Sequence, residues 1–182
     1  EAEALAAKWG CEKFQRKKSG RFFTASNKGK DKHQAQNRKG TDTQLIQKPV
    51  APANQNLALL KQAEIEKTYG SMTEYYNTCS IRCKAIEKKE IFITAEGLLM
   101  PCCWTAGRMY KWWHKDPKVE QIWNFIDKDT LDARKGLSKV FDTGVFDRIQ
   151  NSWSNPSCGD GKLKVCAMKC GAEFDPFAEQ FK

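Results

Sequence analysis

Residues 83–104 read CKAIEKKEIFITAEGLLMPCCW, and this stretch decides the fold of the second half of the chain. Residues 90–95 alternate in polarity and are rich in β-forming side chains. A Glu-Gly pair then supplies a turn, and the apolar residues 98–100 return, so the pattern predicts a β-hairpin. Because a hairpin brings the chain back to its starting side, we expect Cys83 and Cys102 to lie at the same end.

Helices are predicted between this hairpin and the last two cysteines. Asp116-Pro117 is typical of a helix start, with Asp as the cap and Pro at the first helical position. A second helix is expected over about residues 130–140, and Asp142-Thr143 is suited to cap a third. Such helices carry the chain out and back, so Cys166 and Cys170 can complete a set of four thiolates. The expected fold class is α+β: a small hairpin with two or three helices around a cysteine-lined cluster site.

The first part of the chain differs in composition. Residues 24–44 contain no aliphatic side chain larger than Ala, so they cannot bury enough surface to offset the entropy of ordering. We therefore predict three regions: residues 1–23 as the end of a preceding domain, residues 24–53 as a basic flexible linker, and residues 54–182 as the cluster domain. That last region is expected to open with a helix over about 54–68.

The net charge of +9 is concentrated in one segment. Between residues 11 and 48 there are eleven Lys or Arg side chains and three acids. One interpretation is a basic nucleic-acid-binding module. However, no aromatic residues interleave the charges as stacking platforms would, so a solvated connector without a nucleic-acid partner is the simpler expectation.

The eight cysteines require an explanation, since extracellular disulfides and a cytosolic metal site compete. Residues 1–20 lack the apolar region of a secretory signal, and the cysteines cluster along the chain. These features favour a metal site and a cytoplasmic protein, with a disulfide scaffold as a further alternative. No run of 18 apolar residues exists, so no membrane partner is expected.

A resemblance to a known family is carried by residues 83–104 and by the closing CAMKCG at residues 166–171. The first segment resembles the opening of the SPASM/Twitch auxiliary domains of radical S-adenosylmethionine enzymes, where a Cys and a spacer precede Gly-x4-Cys. The closing segment is similar to the final cysteine pair of those domains. The PCCW element and the helices ending in RIQNSW are similar to phage-encoded and environmental members. The resemblance covers about residues 79–172, and it implies that residues 1–23, which open with EAEALAAKWG, are the remnant of a barrel-like domain.

This resemblance implies a 4Fe–4S cluster that serves electron transfer or substrate positioning. Its implied ligands are Cys83, Cys102, Cys166 and Cys170. Cys158 is the first substitute ligand, followed by Cys103 and Cys79. The number of cysteines fits the one-cluster Twitch form better than the two-cluster form.

The catalytic motif of these enzymes is incomplete. The cluster that cleaves S-adenosylmethionine needs three cysteines in the pattern Cys-x3-Cys-x2-Cys. Cys79 and Cys83 match the first two, but the third position is Ile86. The chain is therefore not expected to be catalytic alone. A radical S-adenosylmethionine barrel, in the same longer chain or as a separate subunit, is the implied partner and would bind S-adenosylmethionine. A peptide is the implied substrate.

Structural zinc is the leading alternative cofactor. Four thiolates suit zinc as well as they suit a cluster. Zinc sites usually carry tight Cys-x2-Cys knuckles, and this sequence has none.

Overall fold

The computed structural model describes most of the chain and has the α+β character predicted from the sequence. Its described part contains eight α-helices and two separate two-stranded sheets. The chain divides into two compact units, one running up to Glu64 and the other covering Ile65–Asp175. The described residues are 1–15, 31–37, 39–41, 43–48, 50, 56–109 and 121–176.

The first unit contains a hairpin that the sequence did not predict. Strands β1 (Lys32–Gln36) and β2 (Thr43–Gln47) pair antiparallel inside the region predicted as a linker over 24–53. Their side chains are largely exposed, so backbone pairing joins the strands without an apolar core. Helix α1 (Ala2–Lys8) buries no residue, and its place at the end of a preceding domain stays a prediction.

Helix α2 (Leu57–Tyr69) confirms the helix expected over about 54–68 and runs across the boundary between the two units. The second unit has more helices than the two or three predicted, and all are short. None in the described part of the chain is both long and apolar enough to cross a membrane. Its elements are α3 (Met72–Thr78), α4 (Lys84–Lys88), β3 (Phe92–Ile93), β4 (Leu99–Met100), α5 (Cys103–Met109), α6 (Leu137–Asp142), α7 (Val145–Asn151) and α8 (Lys164–Cys170).

The helix predicted over about 130–140 is broken. Asp127 and Asp132 each accept a backbone N–H two residues ahead and start separate 3₁₀ turns, after which α6 begins at Leu137. Local capping by Asp competes with a continuous helix, which explains the interruption. The predicted helix start at Asp116-Pro117 lies outside the described residues.

The predicted hairpin of residues 90–100 is confirmed, although its strands are short. Phe92 pairs with Met100 and Ile93 pairs with Leu99. Gly97 has a φ of +84°, which glycine adopts without steric cost, so the Glu-Gly turn forms as expected.

The core of the second unit holds this hairpin against the later helices. Leu99 and Met100 are fully buried in a cluster that α5, α7 and α8 also enter. Because β4 leads directly into α5, the packing of the hairpin fixes where Cys102 lies relative to α8. The buried aliphatic and methionine side chains of this cluster include Met109, Ile122, Leu131, Val140, Val145, Ile149 and Leu163.

Candidate metal centre

Four cysteine thiols line one small cavity in the second unit. They belong to Cys83, Cys102, Cys166 and Cys170, the four ligands that the sequence resemblance implied. The cavity has a volume of about 20 Å³, and all eight cysteines of the chain are free thiols. Cysteines that precede α4, precede α5 and lie within α8 therefore share the lining of one cavity.

Backbone pairing brings the first and last of these cysteines together. Ile81 forms an isolated antiparallel bridge with Gly171, and the N–H of Arg82 donates to the carbonyl of Cys170 at 2.8 Å. The segment that leads into Cys83 thus runs beside the end of α8. The contact depends on main-chain hydrogen bonds, and not on the two thiols alone.

The Cys83 and Cys170 thiols interact directly. The hydrogen bond from Cys170 lowers the pKa of Cys83 to about 6, and the N–H groups of Ile86 and Ala85 in α4 add to that effect against the opposing cost of burial. The pKa of Cys170 is raised, first because its hydrogen is held by Cys83 and then because the group is buried. The pKa values of the two thiols are therefore shifted in opposite directions, so Cys83 ionises more readily than Cys170.

Cys102 is positioned by the first turn of α5. Its N–H meets the hydroxyl oxygen of Thr105 at 3.4 Å, that hydroxyl donates to the Cys102 carbonyl at 2.8 Å, and its sulfur lies 3.6 Å from the same oxygen. Thr105 is buried, whereas the neighbouring Cys103 is exposed. The two adjacent cysteines thus have opposite environments.

Cys166 is the most buried of the four, at 9% exposure. Burial raises its pKa to about 12, and the indole N–H of Trp153 acts in the opposite direction. That N–H is buried and lacks a hydrogen-bonding partner at ordinary distance among the described residues. Leaving a buried N–H without an acceptor costs free energy. A thiolate at Cys166 would accept a hydrogen bond from the Trp153 N–H and remove that cost.

A positive charge lies at the edge of the cavity. The Lys169 ammonium stands 4.6 Å from the ring centre of Trp104, and both residues line the cavity with the thiols. Lys84 also lies on this side, since its ammonium donates to the Lys169 carbonyl at 2.9 Å and pairs with Asp175 at 2.6 Å. Lys169 therefore adds positive charge to the cavity lining, whereas the charge of Lys84 is paired with Asp175.

The three substitute ligands lie away from this cavity. Cys103 points into solvent at the start of α5. Cys79 and Cys158 are near each other instead, because both sulfur atoms approach the carbonyl oxygen of Tyr76, at 3.8 and 3.6 Å. Four cysteines therefore line the cavity, and we call them the quartet: Cys83, Cys102, Cys166 and Cys170. Cys79 and Cys158 form a separate pair.

The four cysteines of the quartet are not arranged to coordinate a metal ion in this structure. No three His, Cys, Asp or Glu side chains in the described part of the chain stand close enough together to hold a metal ion. The cavity is also only as large as one water molecule requires. Binding a single ion requires the sulfur atoms to draw inward, and binding a larger cluster requires the cavity walls to move apart.

Two contributions to the site were absent from the sequence predictions. Nothing in the sequence indicated that the N–H of Trp153 would meet Cys166. Thr105, three residues after Cys102, follows the spacing of a side-chain cap, so its role was detectable in principle.

The chain matches no protein-family model, no curated protein and no solved structure. The SPASM/Twitch resemblance therefore depends on the cysteine spacing and the hairpin alone.

Proposed function

We propose that the second unit holds a 4Fe–4S cluster on the thiolates of Cys83, Cys102, Cys166 and Cys170. In this proposal the unit is an auxiliary domain of a radical S-adenosylmethionine enzyme and is not catalytic alone. The observation that carries the proposal is the convergence of the four thiols on one cavity from three separate segments. Four thiolates are the set that such a cluster requires.

The surroundings of the thiols fit a negatively charged sulfur centre. Trp153 offers a buried N–H next to Cys166, and Lys169 offers a cation at the cavity edge. Hydrogen bonds to sulfur and local charge are the means by which a protein sets a cluster's reduction potential. When bound, the cluster would supply one-electron chemistry, and the role of the chain is to hold it and set its potential.

A substrate-positioning role is supported by a second cavity that shares a wall with the first. It has a volume of about 330 Å³, is mostly apolar, and includes Cys83 and Trp153 in its lining. Ile86 from α4 and Phe141 and Phe146 from α6 and α7 form much of the rest. An apolar group of a peptide substrate held there would lie beside the Cys83 sulfur. S-adenosylmethionine would bind to the barrel partner.

Structural zinc is the second candidate, and the small cavity favours it. A single ion bound by four thiolates at about 2.3 Å needs far less space than a cluster. Zinc would use the same four cysteines but would give a colourless protein without electron-transfer chemistry.

Anaerobic reconstitution with iron and sulfide tests the proposal, and the adjacent cysteines give a matched pair of variants. Cys102→Ser removes a thiol that lines the cavity, whereas Cys103→Ser removes its exposed neighbour. We expect wild type and Cys103→Ser to bind about four irons and to absorb visible light by sulfur-to-iron charge transfer. Cys102→Ser should lose most of that absorption.

Two results would overturn the proposal. One is a colourless chain that retains zinc and rejects iron under the same conditions, which would establish the zinc candidate. The other is equal iron uptake by Cys102→Ser and wild type, which would show that the cavity thiols are not the ligands. Circular dichroism of each variant checks that the fold is retained.

A further inference from the structure

Two cysteines outside the quartet, the buried Cys79 and the half-buried Cys158, lie close to each other. The thiols of Cys79 and Cys158 both point to the carbonyl oxygen of Tyr76, at 3.8 and 3.6 Å. Because both sulfur atoms lie near the same oxygen, the distance between them cannot exceed the sum of those two distances. Neither residue lines the cavity of the quartet, so this pair has its own position in the fold.

Neighbouring hydrogen bonds tie both cysteines to the end of α3. The N–H of Cys158 donates to the side-chain oxygen of Asn77 at 3.0 Å, which holds its turn against the helix. The ammonium of Lys162 is only 4% exposed and donates to the carbonyls of Asn77 and Cys79. These hydrogen bonds hold the backbone of both cysteines against the end of α3.

We propose that Cys79 and Cys158 are a site of reversible disulfide formation with a small-molecule disulfide. The inference is independent of the proposed cluster, because it involves neither the quartet nor its cavity. The bond would fasten the turn at Cys158 to the segment that leads from Cys79 to Cys83. It would also restrain Lys162, which lies just before α8 and its two quartet cysteines.

The order of the steps follows from accessibility. Cys158 is half-buried and Cys79 is 4% exposed, so Cys158 is the first to react. The Cys158 thiolate attacks one sulfur of the small disulfide, forms a mixed disulfide and releases one thiol. The Cys79 thiolate then attacks the Cys158 sulfur and releases the second thiol. The chain loses two electrons and two protons, and the small disulfide is reduced to two thiols.

The rate of this exchange is expected to be modest at neutral pH. Burial raises the pKa of both thiols. Lys162 opposes that increase at Cys79, where Cys158 and Glu173 add to it, and Lys164 and Lys162 oppose it at Cys158. Since the thiolate is the attacking species, the reaction should accelerate as the pH rises. The site is therefore a slow structural modification and not a rapid redox catalyst.

Oxidised glutathione is the probe for this proposal. The reduced, metal-free full chain is incubated with an excess of it, digested without reduction and analysed by mass spectrometry. We expect a peptide linked through Cys79 and Cys158, lighter than the two free peptides together by two hydrogens. Cys79→Ser should instead retain glutathione on Cys158, because no second thiol is available to displace it. Cys103→Ser is the matched control and should form the linked peptide as wild type does.

Two outcomes would overturn the inference. In the first, wild type accumulates glutathione on Cys158 without any link to Cys79. In the second, Cys158 links to one of the quartet cysteines instead. Both are read on the wild-type chain, so they do not depend on the folding of a variant, and neither bears on metal binding by the quartet.

Discussion

The N–H of Arg82 donates to the carbonyl of Cys170 at 2.8 Å, so the main chain holds the first and last residues of the thiol quartet side by side. The bridge between Ile81 and Gly171 supports this arrangement. A closing pair held by the backbone can act as a preformed half of a metal site. The pKa of Cys83 is lowered and the pKa of Cys170 is raised, and this difference gives the first prediction.

Cys83 should be the most reactive quartet thiol in the metal-free chain. Its pKa is lowered to about 6, first by the hydrogen bond from Cys170, so it is a thiolate at neutral pH. Its alkylation by iodoacetamide, followed residue by residue with mass spectrometry, should increase through about pH 6 and then level off. Cys170→Ala should shift that midpoint upward. Titration of wild-type Cys83 near the ordinary thiol value of about 8.5 would contradict the prediction.

Cys166 should make the metal-free chain sensitive to alkali. Its pKa is raised to about 12 by burial, whereas an unfolded thiol titrates near about 8.5. Its contribution to stability is complete below about pH 8.5 and is lost as the pH rises towards 12, because the unfolded state releases the proton first.

The free energy of unfolding should therefore fall in that window by up to about 1.4 kcal/mol per pH unit from this group. Urea denaturation at several pH values measures the slope. Cys166→Ala should reduce it, while the exposed control Cys11→Ala should leave it unchanged. An identical slope in wild type and Cys166→Ala would show that this thiol is not the cause.

Trp153→Phe tests the indole N–H beside Cys166. Phenylalanine keeps an aromatic ring but removes the buried donor. In the reconstituted chain, the reduction potential should become more negative, because fewer hydrogen bonds to sulfur disfavour the added electron. In the metal-free chain, the pKa of Cys166 should increase further. A redox titration and a thiol titration give the two readouts, and unchanged values in both would exclude the contact.

Gly171→Ala tests the close packing that closes the site. A methyl group there would lie 2.6 Å from the Tyr75 hydroxyl oxygen and 2.8 Å from the Ala167 carbonyl oxygen. We expect a loss of about 2 kcal/mol in the free energy of unfolding, measured with urea. Gly107→Ala is the matched control, because a methyl group at this position in α5 would have no atom within 4 Å outside its own helix backbone and chain neighbours. This substitution should be neutral or should stabilise the fold by up to about 1 kcal/mol. Equal effects of the two substitutions would refute this packing.

The parts of the fold that follow local rules were predictable from the sequence. The hairpin of residues 90–100 follows from alternation and a Glu-Gly turn, and it places Cys83 and Cys102 as expected. The hairpin of β1 and β2 was missed because its strands pair without burying an apolar face, which leaves no periodic signal.

The details of the site depend on tertiary contacts that no local pattern carries. The separation of Cys79 and Cys158 from the quartet results from the turn at Cys158 docking on the end of α3. The placement of the Trp153 N–H next to Cys166 likewise depends on how the 3₁₀ turn at residues 152–154 packs beside α8. Spacing along the chain predicted which cysteines could converge, but not which neighbours would set their protonation.

X-ray absorption at the iron edge of the anaerobically reconstituted chain tests the central claim most directly. If the quartet holds a 4Fe–4S cluster, each iron is surrounded by sulfur, with further scattering from neighbouring irons, and Cys83→Ser alters that sulfur shell. Iron surrounded only by oxygen and nitrogen, or the same spectrum in Cys83→Ser as in wild type, would contradict it.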